Sequence, residues 1–237
     1  YSFRMPKPSS VSNKTYALLV ARGIFKTIMT GVIIFWIAGT WDYWQGWVLF
    51  GYFIVVTIFL IFLFNARREL MMERVKPGKG VKLWDRIVMM IFGLLMLAML
   101  IVGVLDAARF HWSPALPVYV YVVSYIVLTA SMLLVLWAML ANNYFATYVR
   151  IQEDRGHQVC TSGPYKYVRH PGYSGIIPAQ ICFAFILGSY WALIPAGAIL
   201  LLFILRTELE DRTLQKELEG YKEYASKVRS RLIPSVW

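Results

Sequence analysis

About six apolar runs, separated by short polar or aromatic breaks, set the frame of the chain. They occupy 24–40, 45–64, 87–105, 117–140, 172–187 and 190–205. The first four are close to the roughly 20 residues a helix needs to cross a bilayer. The last two have about 16 residues each, or roughly 24 Å as helix. They are joined by Gly188-Ser189 alone and carry Pro178 and Pro195. This predicts a tight helical hairpin leaning on four longer spans. From Glu208 the pattern turns polar and periodic, with Leu214, Leu218, Tyr221, Ala225 and Val228 on one helical face. That predicts an amphipathic C-terminal helix ending near Arg231, with Pro234 beyond it.

Composition agrees with an all-α, polytopic integral membrane protein. Hydrophobic residues make up 59% of the 237, and charged residues only 16%, against about 25% in soluble domains. The net charge of +11 does not point to nucleic acid, because the cations flank apolar runs and form no base-reading module. With six crossings, one side of the membrane receives the basic lead 1–15 with Pro6 and Pro8. It also receives the loop 65–86 (Arg67, Arg68, Arg74, Lys76, Lys79, Lys82, Arg86, with a Pro77-Gly78 turn), the loop 141–171 and the C-terminus. All of the 24 Lys and Arg except Arg109 then lie on that side, which the positive-inside rule makes cytoplasmic. No cleavable signal pattern is visible. Trp41 to Trp47 read as an interfacial aromatic belt. Cys160 and Cys182 are too few for a disulfide framework or a thiolate metal cage, so no metal partner is expected. The organisation divides into membrane helices over 1–140 and a core over 141–237 that holds the chemistry.

That chemistry centres on 163–175, GPYKYVRHPGYSG. Pro171 suits the first turn of a helix, since its missing N–H would be unpaired there. Arg169 and His170 then stand at a helix mouth, where free N–H groups attract anions. Arg206, Glu208, Glu210 and Asp211 follow at the same side of the membrane, with Arg206 and Glu210 sharing a helix face. Aromatic rings, backbone donors, a histidine and carboxylates are the groups an adenosine needs. Asn142 and Asn143 either cap the fourth span or touch a ligand.

The run HQVCTSGPYKYVRHPGYSG, then RTELEDRTL, then EGYKEYASKVRSRLIP resembles the isoprenylcysteine carboxyl methyltransferase family. The wider group includes phospholipid methyltransferases and prokaryotic members, and the likeness covers roughly 143–234. It implies an S-adenosyl-L-methionine site facing the cytoplasm. By position the resemblance assigns the cofactor to Arg150, with Gln152 as its rival, to His157, Gln158, Val159 and Cys160, and to Gly163 and Tyr165. It continues through His170, Pro171, Gly172, Tyr173 and Glu210. Arg206 falls at the family's substrate-positioning arginine, and Asp211 stands where the family usually has Glu.

The activity so implied is in-line transfer of a methyl group from the sulfonium to a lipophilic acceptor arriving through the bilayer. A prenylcysteine carboxylate is the first expectation, and a phospholipid or other small lipophile, methylated on N or O, the second. A carboxylate is already ionised, so the protein need only orient it, with Arg206 or Arg169 gripping it bidentately. An amine acceptor would need a base such as Glu208. Membrane sterol reductases, which use NADPH, carry a related Arg-His…Tyr-x-Gly stretch but lack the GPY element and the Glu210-Asp211 pair. A transporter should show midplane charges and repeated halves, which this sequence lacks.

Overall fold

A computed structural model of the protein describes residues 13–65 and 80–237. The lead before residue 13 and the part of the basic loop holding Arg67, Arg68, Arg74, Lys76, Lys79 and the Pro77-Gly78 step lie outside the described residues. The described chain is all helical in its regular structure. Its helices are α1 (Asn13–Ala38), α2 (Trp44–Asn65), α3 (Leu83–Leu105), α4 (Val118–Ala141), α5 (Pro171–Ile186), α6 (Leu193–Glu217) and α7 (Tyr221–Lys227). The first four are long and apolar enough to cross a membrane. Helix α1 starts well before the apolar run, because 13–23 mixes its polar residues with Ala and Leu, both good helix formers. Helix α3 runs on through one π-helical turn, Asp106–Phe110, and stops at His111 in a left-handed conformation. Much of the expected 106–116 connection is therefore helical.

Helix α5 packs along α4, α3 along α6, and α5 along α6, while α1 meets α2 and α3. Gly175 allows the α4–α5 approach: a Cβ there would lie 2.7 Å from the Ser131 carbonyl oxygen. The core holds Ile34, Leu49, Met99, Ile186, Ile199 and Phe203. The outer surface is equally apolar, with Trp36, Phe62 and Leu201 among the exposed side chains. In water such a surface would be a liability; against lipid it is the expected face.

At one end of the bundle the turns are bonded together. The Tyr43 hydroxyl donates to the Leu187 carbonyl at 2.7 Å. The buried Asp106 carboxylate accepts from Ser189 Oγ at 2.5 Å and from the backbone N–H of Ser113 at 2.7 Å. The tip of the α5–α6 hairpin thus reaches the level where α1 turns into α2 and α3 into α4. Arg109 donates from Nε to the Ala38 carbonyl at 2.9 Å, placing a cation at the negative C-terminal end of α1. Trp41, Trp44 and Trp47 are exposed, but Tyr43 is buried, so the expected aromatic belt excludes it.

The C-terminal part differs from its sequence reading. The apolar run ending near 205 and the acid-rich segment after it form one continuous helix, α6. The break comes only at 218–220, where Gly220 has φ +77. The predicted stripe nevertheless packs into one cluster: Leu218 and Tyr221 are buried with Ala138, Tyr165 and Tyr224, and the partly buried Leu214, Ala225 and Val228 pack against them. Periodicity could not show the turn, since two helices can present their apolar residues to the same partner.

Candidate functional site

A pocket lies at the end of the bundle away from the hairpin tip, where α4 ends and α5 begins. Its free space is about 810 Å³, part of it open to solvent. The loop 142–160 forms one wall, the start of α5 a second, and α6 with α7 the third. Arg150, His157, Gln158, Val159, Cys160, Tyr165, His170, Gly172, Tyr173 and Glu210 all line it, as does Arg169. The rival Gln152 lines it too. Of the residues singled out by sequence, Asn143, Gly163, Pro171, Arg206, Glu208 and Asp211 are outside the lining. Gly163 instead meets α4: with φ +57, its Cβ would come within 2.8 Å of that of Ala141. Pro171 is the first residue of α5.

The loop wall is held by its own side chains. Gln152 is buried and donates from Nε2 to the Tyr144 carbonyl at 2.6 Å, while its Oε1 accepts from Arg155 at 2.7 Å. The backbone N–H of Gln152 donates to His157 Nδ1 at 3.3 Å, so this imidazole is an acceptor on that edge. Burial, with the nearby Arg150 and Arg155 cations adding to it, lowers the His157 pKa to about 4. The ring lies 4.5 Å from that of Tyr144. Arg150 pairs with Asp154 at 3.0 Å. Asn142 is the C-cap of α4, and its Oδ1 accepts from the Tyr144 N–H at 2.8 Å.

On the opposite wall the Tyr173 hydroxyl donates to Glu210 Oε2. At the mouth of α5 the His170 carbonyl accepts from the N–H groups of Tyr173 and Ser174, and Pro171 has none to give. The Gly172 N–H is left as a donor at a pocket-lining position, as the geometry of helix starts requires. A side chain at Gly172 would collide with Phe145, at 2.9 Å.

Two expected roles change. Arg169 does not stand free at the helix mouth. Its Nε and Nη2 donate to the two Asp211 oxygens at 2.7 and 2.8 Å, and its Nη1 donates to the carbonyls of Val228 and Arg229. Asp211 is fully buried and also accepts from His170, Tyr221, Gln215 and Arg231. Burial pushes its carboxyl up, but the hydrogen bonds from His170 and Arg169 outweigh this and hold it well below the usual carboxylate range. The Glu208 carboxylate, the expected base for an amine acceptor, is paired with Arg212 at 2.6 Å and Arg231 at 2.9 Å.

Several pocket-lining positions escaped the sequence reading. The aromatics Tyr144, Phe145 and Tyr148 line the pocket, and their clustering just after a span was the available signal. Leu214, Leu218 and Tyr221 line it as well, although the sequence presents them only as an amphipathic stripe.

Residues 122–216 match the model of the isoprenylcysteine carboxyl methyltransferase (ICMT) family. No curated protein matches the chain. The matched segment contains α5, nearly all of α4 and α6, and most of the pocket wall. Residues 122–216 are thus similar to the ICMT family, in a chain that carries four helices long and apolar enough to cross a membrane.

Proposed function

We propose that the pocket binds S-adenosyl-L-methionine and that the protein methylates the carboxylate of a lipophilic acceptor, a prenylcysteine in the first instance. The observation that carries this reading is the convergence of two distant sequence stretches on one pocket. The 157–173 residues form two of its walls, and Glu210, paired with Tyr173, stands on the third. The groups present suit the cofactor. Tyr144, Tyr148 and Phe145 provide aromatic faces for a purine. Glu210 offers acceptor oxygens for hydroxyl or ammonium groups. The Gly172 N–H, at a helix start, suits a carboxylate.

S-adenosylmethionine supplies an electrophilic methyl group on a sulfonium. The protein's part is to bind, orient and exclude water. Tyr173 fixes Glu210, and the Arg206 guanidinium lies 5.2 Å from the Tyr173 ring centroid. A carboxylate acceptor fits the available groups better than an amine, because Glu208, outside the lining, is engaged by two arginines, and Glu210, the one carboxylate among the described lining residues, accepts from Tyr173. The neutralisation of carboxylate and sulfonium in the transition state is favoured by a dry site. We place the pocket and both termini in the cytoplasm, with six crossings. The placement of the cations and the depth of the α5–α6 hairpin support that topology.

The test is thermal unfolding of the detergent-purified protein with S-adenosylhomocysteine and, separately, NADPH. Ligand at 100 times its dissociation constant stabilises by about 2.7 kcal/mol. A shift with S-adenosylhomocysteine that disappears in Glu210→Ala, together with methyl transfer to N-acetyl-S-farnesylcysteine, is the expected result. A shift with NADPH alone would overturn the reading.

A further inference from the structure

Asp85 is the third residue of α3 and has no exposed surface. It lies outside the family-matched segment, yet it is bonded to two residues within it, Val149 and Arg206. Its Oδ1 accepts from Arg206 Nε at 2.8 Å, and its Oδ2 accepts from Arg206 Nη2 at 3.2 Å and from the Val149 N–H at 2.7 Å. Arg206 Nη2 also donates to the Thr147 carbonyl at 2.8 Å. One residue earlier than α3, the Lys82 N–H donates to the Val149 carbonyl at 3.1 Å. The start of α3, the loop at 147–149 and the middle of α6 are therefore tied at one point. The next residues of that loop form the pocket wall.

The guanidinium has further constraints. It lies 5.2 Å from the Tyr173 ring centroid and 5.8 Å from that of Phe203. Its Nε and Nη2 are occupied by Asp85 and Thr147. Its Nη1 donates to no partner among the described residues. A free arginine on a helix would rotate through several rotamers; this one is held with one edge spent and one amino group left over. The bidentate grip on an acceptor expected from sequence is not open to it, since that edge belongs to Asp85.

We propose that Asp85 is a positioning residue for methyl transfer: it locks Arg206 so that Nη1 is presented to the acceptor carboxylate, and it makes α3 a part of the active site. The inference rests on the methyltransferase reading above and adds the specific donor atom and the residue that aims it. Asp85 also leaves the buried guanidinium paired when no acceptor is bound, so that the site can stand empty without an uncompensated charge. The gain is orientational, and misplacement of about 1 Å can cost roughly 100-fold in rate.

The experiment uses the full-length protein in detergent or nanodiscs, with N-acetyl-S-farnesylcysteine as acceptor and S-adenosylhomocysteine as the binding probe. Asp85→Asn keeps an acceptor oxygen for the Val149 N–H but loosens the grip on Arg206. The expected result is a fall in kcat/KM for the acceptor of about 10- to 100-fold, with the S-adenosylhomocysteine Kd changed less than about threefold. Arg206→Gln should lose as much, and the Asp85→Asn/Arg206→Gln double variant should lose no more than Arg206→Gln alone, since both changes remove one unit. If Asp85→Asn alone fails to fold, the double variant, which leaves no unpaired buried charge, supplies the comparison: its acceptor kcat/KM must equal that of Arg206→Gln. An active wild type with unchanged acceptor kinetics in Asp85→Asn overturns the proposal and leaves the methyltransferase reading intact. Losses that multiply in the double variant, or a loss of S-adenosylhomocysteine binding equal to the loss of acceptor kinetics, overturn it in the same way. A wild type that neither binds S-adenosylhomocysteine nor transfers methyl overturns both.

Discussion

Arg169 and Asp211 meet fork to carboxylate, with Nε–Oδ1 at 2.7 Å and Nη2–Oδ2 at 2.8 Å, in a place where both side chains are almost wholly buried. They stand 42 residues apart and join the loop before α5 to the polar half of α6. Arg169 also takes the carbonyls of Val228 and Arg229, so it fastens the C-terminal segment as well. Its position beside His170 makes it look like an anion grip, but its donors are spent on architecture. Removing Asp211 leaves the buried Arg169 guanidinium without a carboxylate, which costs about 3–5 kcal/mol, and removing Arg169 takes the bidentate partner from Asp211, leaving it Arg231 and His170. Arg169→Ala and Asp211→Ala should each lower the unfolding temperature sharply. Arg169→Lys should rescue only part, because an ammonium cannot span both oxygens and both carbonyls. Thermal unfolding of the three variants in the same detergent checks this. An Arg169→Ala protein with wild-type stability and lost acceptor kinetics would instead return Arg169 to the substrate.

The C-terminal segment closes over this pair. The Arg169 N–H donates to the Ser230 carbonyl, the His170 N–H to the Arg231 carbonyl, and Ser174 Oγ to the Leu232 carbonyl at 2.6 Å. A stop after Lys227 removes all three acceptors and exposes the mouth of α5. The truncated protein should still insert in the membrane, since α1–α4 are intact. Its S-adenosylhomocysteine affinity should fall at least about tenfold, equivalent to roughly 1.4 kcal/mol. Titration calorimetry on the truncated and full-length proteins distinguishes this from a disposable tail.

Tyr173→Phe probes the second wall. The phenol donates to Glu210, and a hydrogen bond to a charged group contributes about 1.5–3 kcal/mol. The variant keeps the ring that lies under the Arg206 guanidinium, so the expected change is confined to cofactor affinity. A rise in Kd of about tenfold or more, with acceptor KM unchanged, is the predicted result. Equal effects on both would mean that the ring rather than the hydroxyl has been disturbed.

The pH dependence of stability has a defined sign at His157. Its folded pKa is lowered to about 4, against about 6.5 for an unperturbed histidine. Between those values the unfolded chain binds a proton that the folded chain refuses, so stability rises with pH there. The contribution is complete above about pH 6.5 and disappears as the pH falls towards 4, where protonation also removes the acceptor for the Gln152 N–H. Unfolding temperatures followed from pH 7.5 to 4.5 should decline more steeply for wild type than for His157→Asn. Parallel profiles would show that the imidazole is protonated without cost.

At the other end of the bundle, Gly39 has φ +65, and a Cβ on it would lie 2.2 Å from Arg109 Nη2. Gly39→Ala therefore combines a left-handed penalty of about 1–2 kcal/mol with displacement of the cation that caps α1. It should destabilise the protein by about 2 kcal/mol while leaving S-adenosylhomocysteine affinity unchanged, because the pocket is at the far end. Unfolding and binding measured on the same preparation test both halves of the statement.

Much of the architecture was legible in the chain. A backbone in lipid must satisfy its own hydrogen bonds, so long apolar runs can only be helices, and the four long ones follow directly. The GPY and RHP elements, Tyr173 and Glu210 were legible as a group because they carry a family likeness, and the structure gathers Tyr165, Arg169, His170, Tyr173 and Glu210 on one pocket. Packing decided what local pattern could not. Leu218 and Tyr221 sit on one apolar stripe whether the helix continues or breaks, so the turn at Gly220 was hidden. Nothing in the sequence singles out Asp85, Asp211 stands there only where the family usually has Glu, and Arg169 and Arg206 read as cations open to a substrate carboxylate. Each arginine has its carboxylate partner on a different helix or loop, 42 and 121 residues away. Charge attraction has no sequence period, so which acid a buried guanidinium faces is decided only when α3, α6 and the α4–α5 loop are brought together.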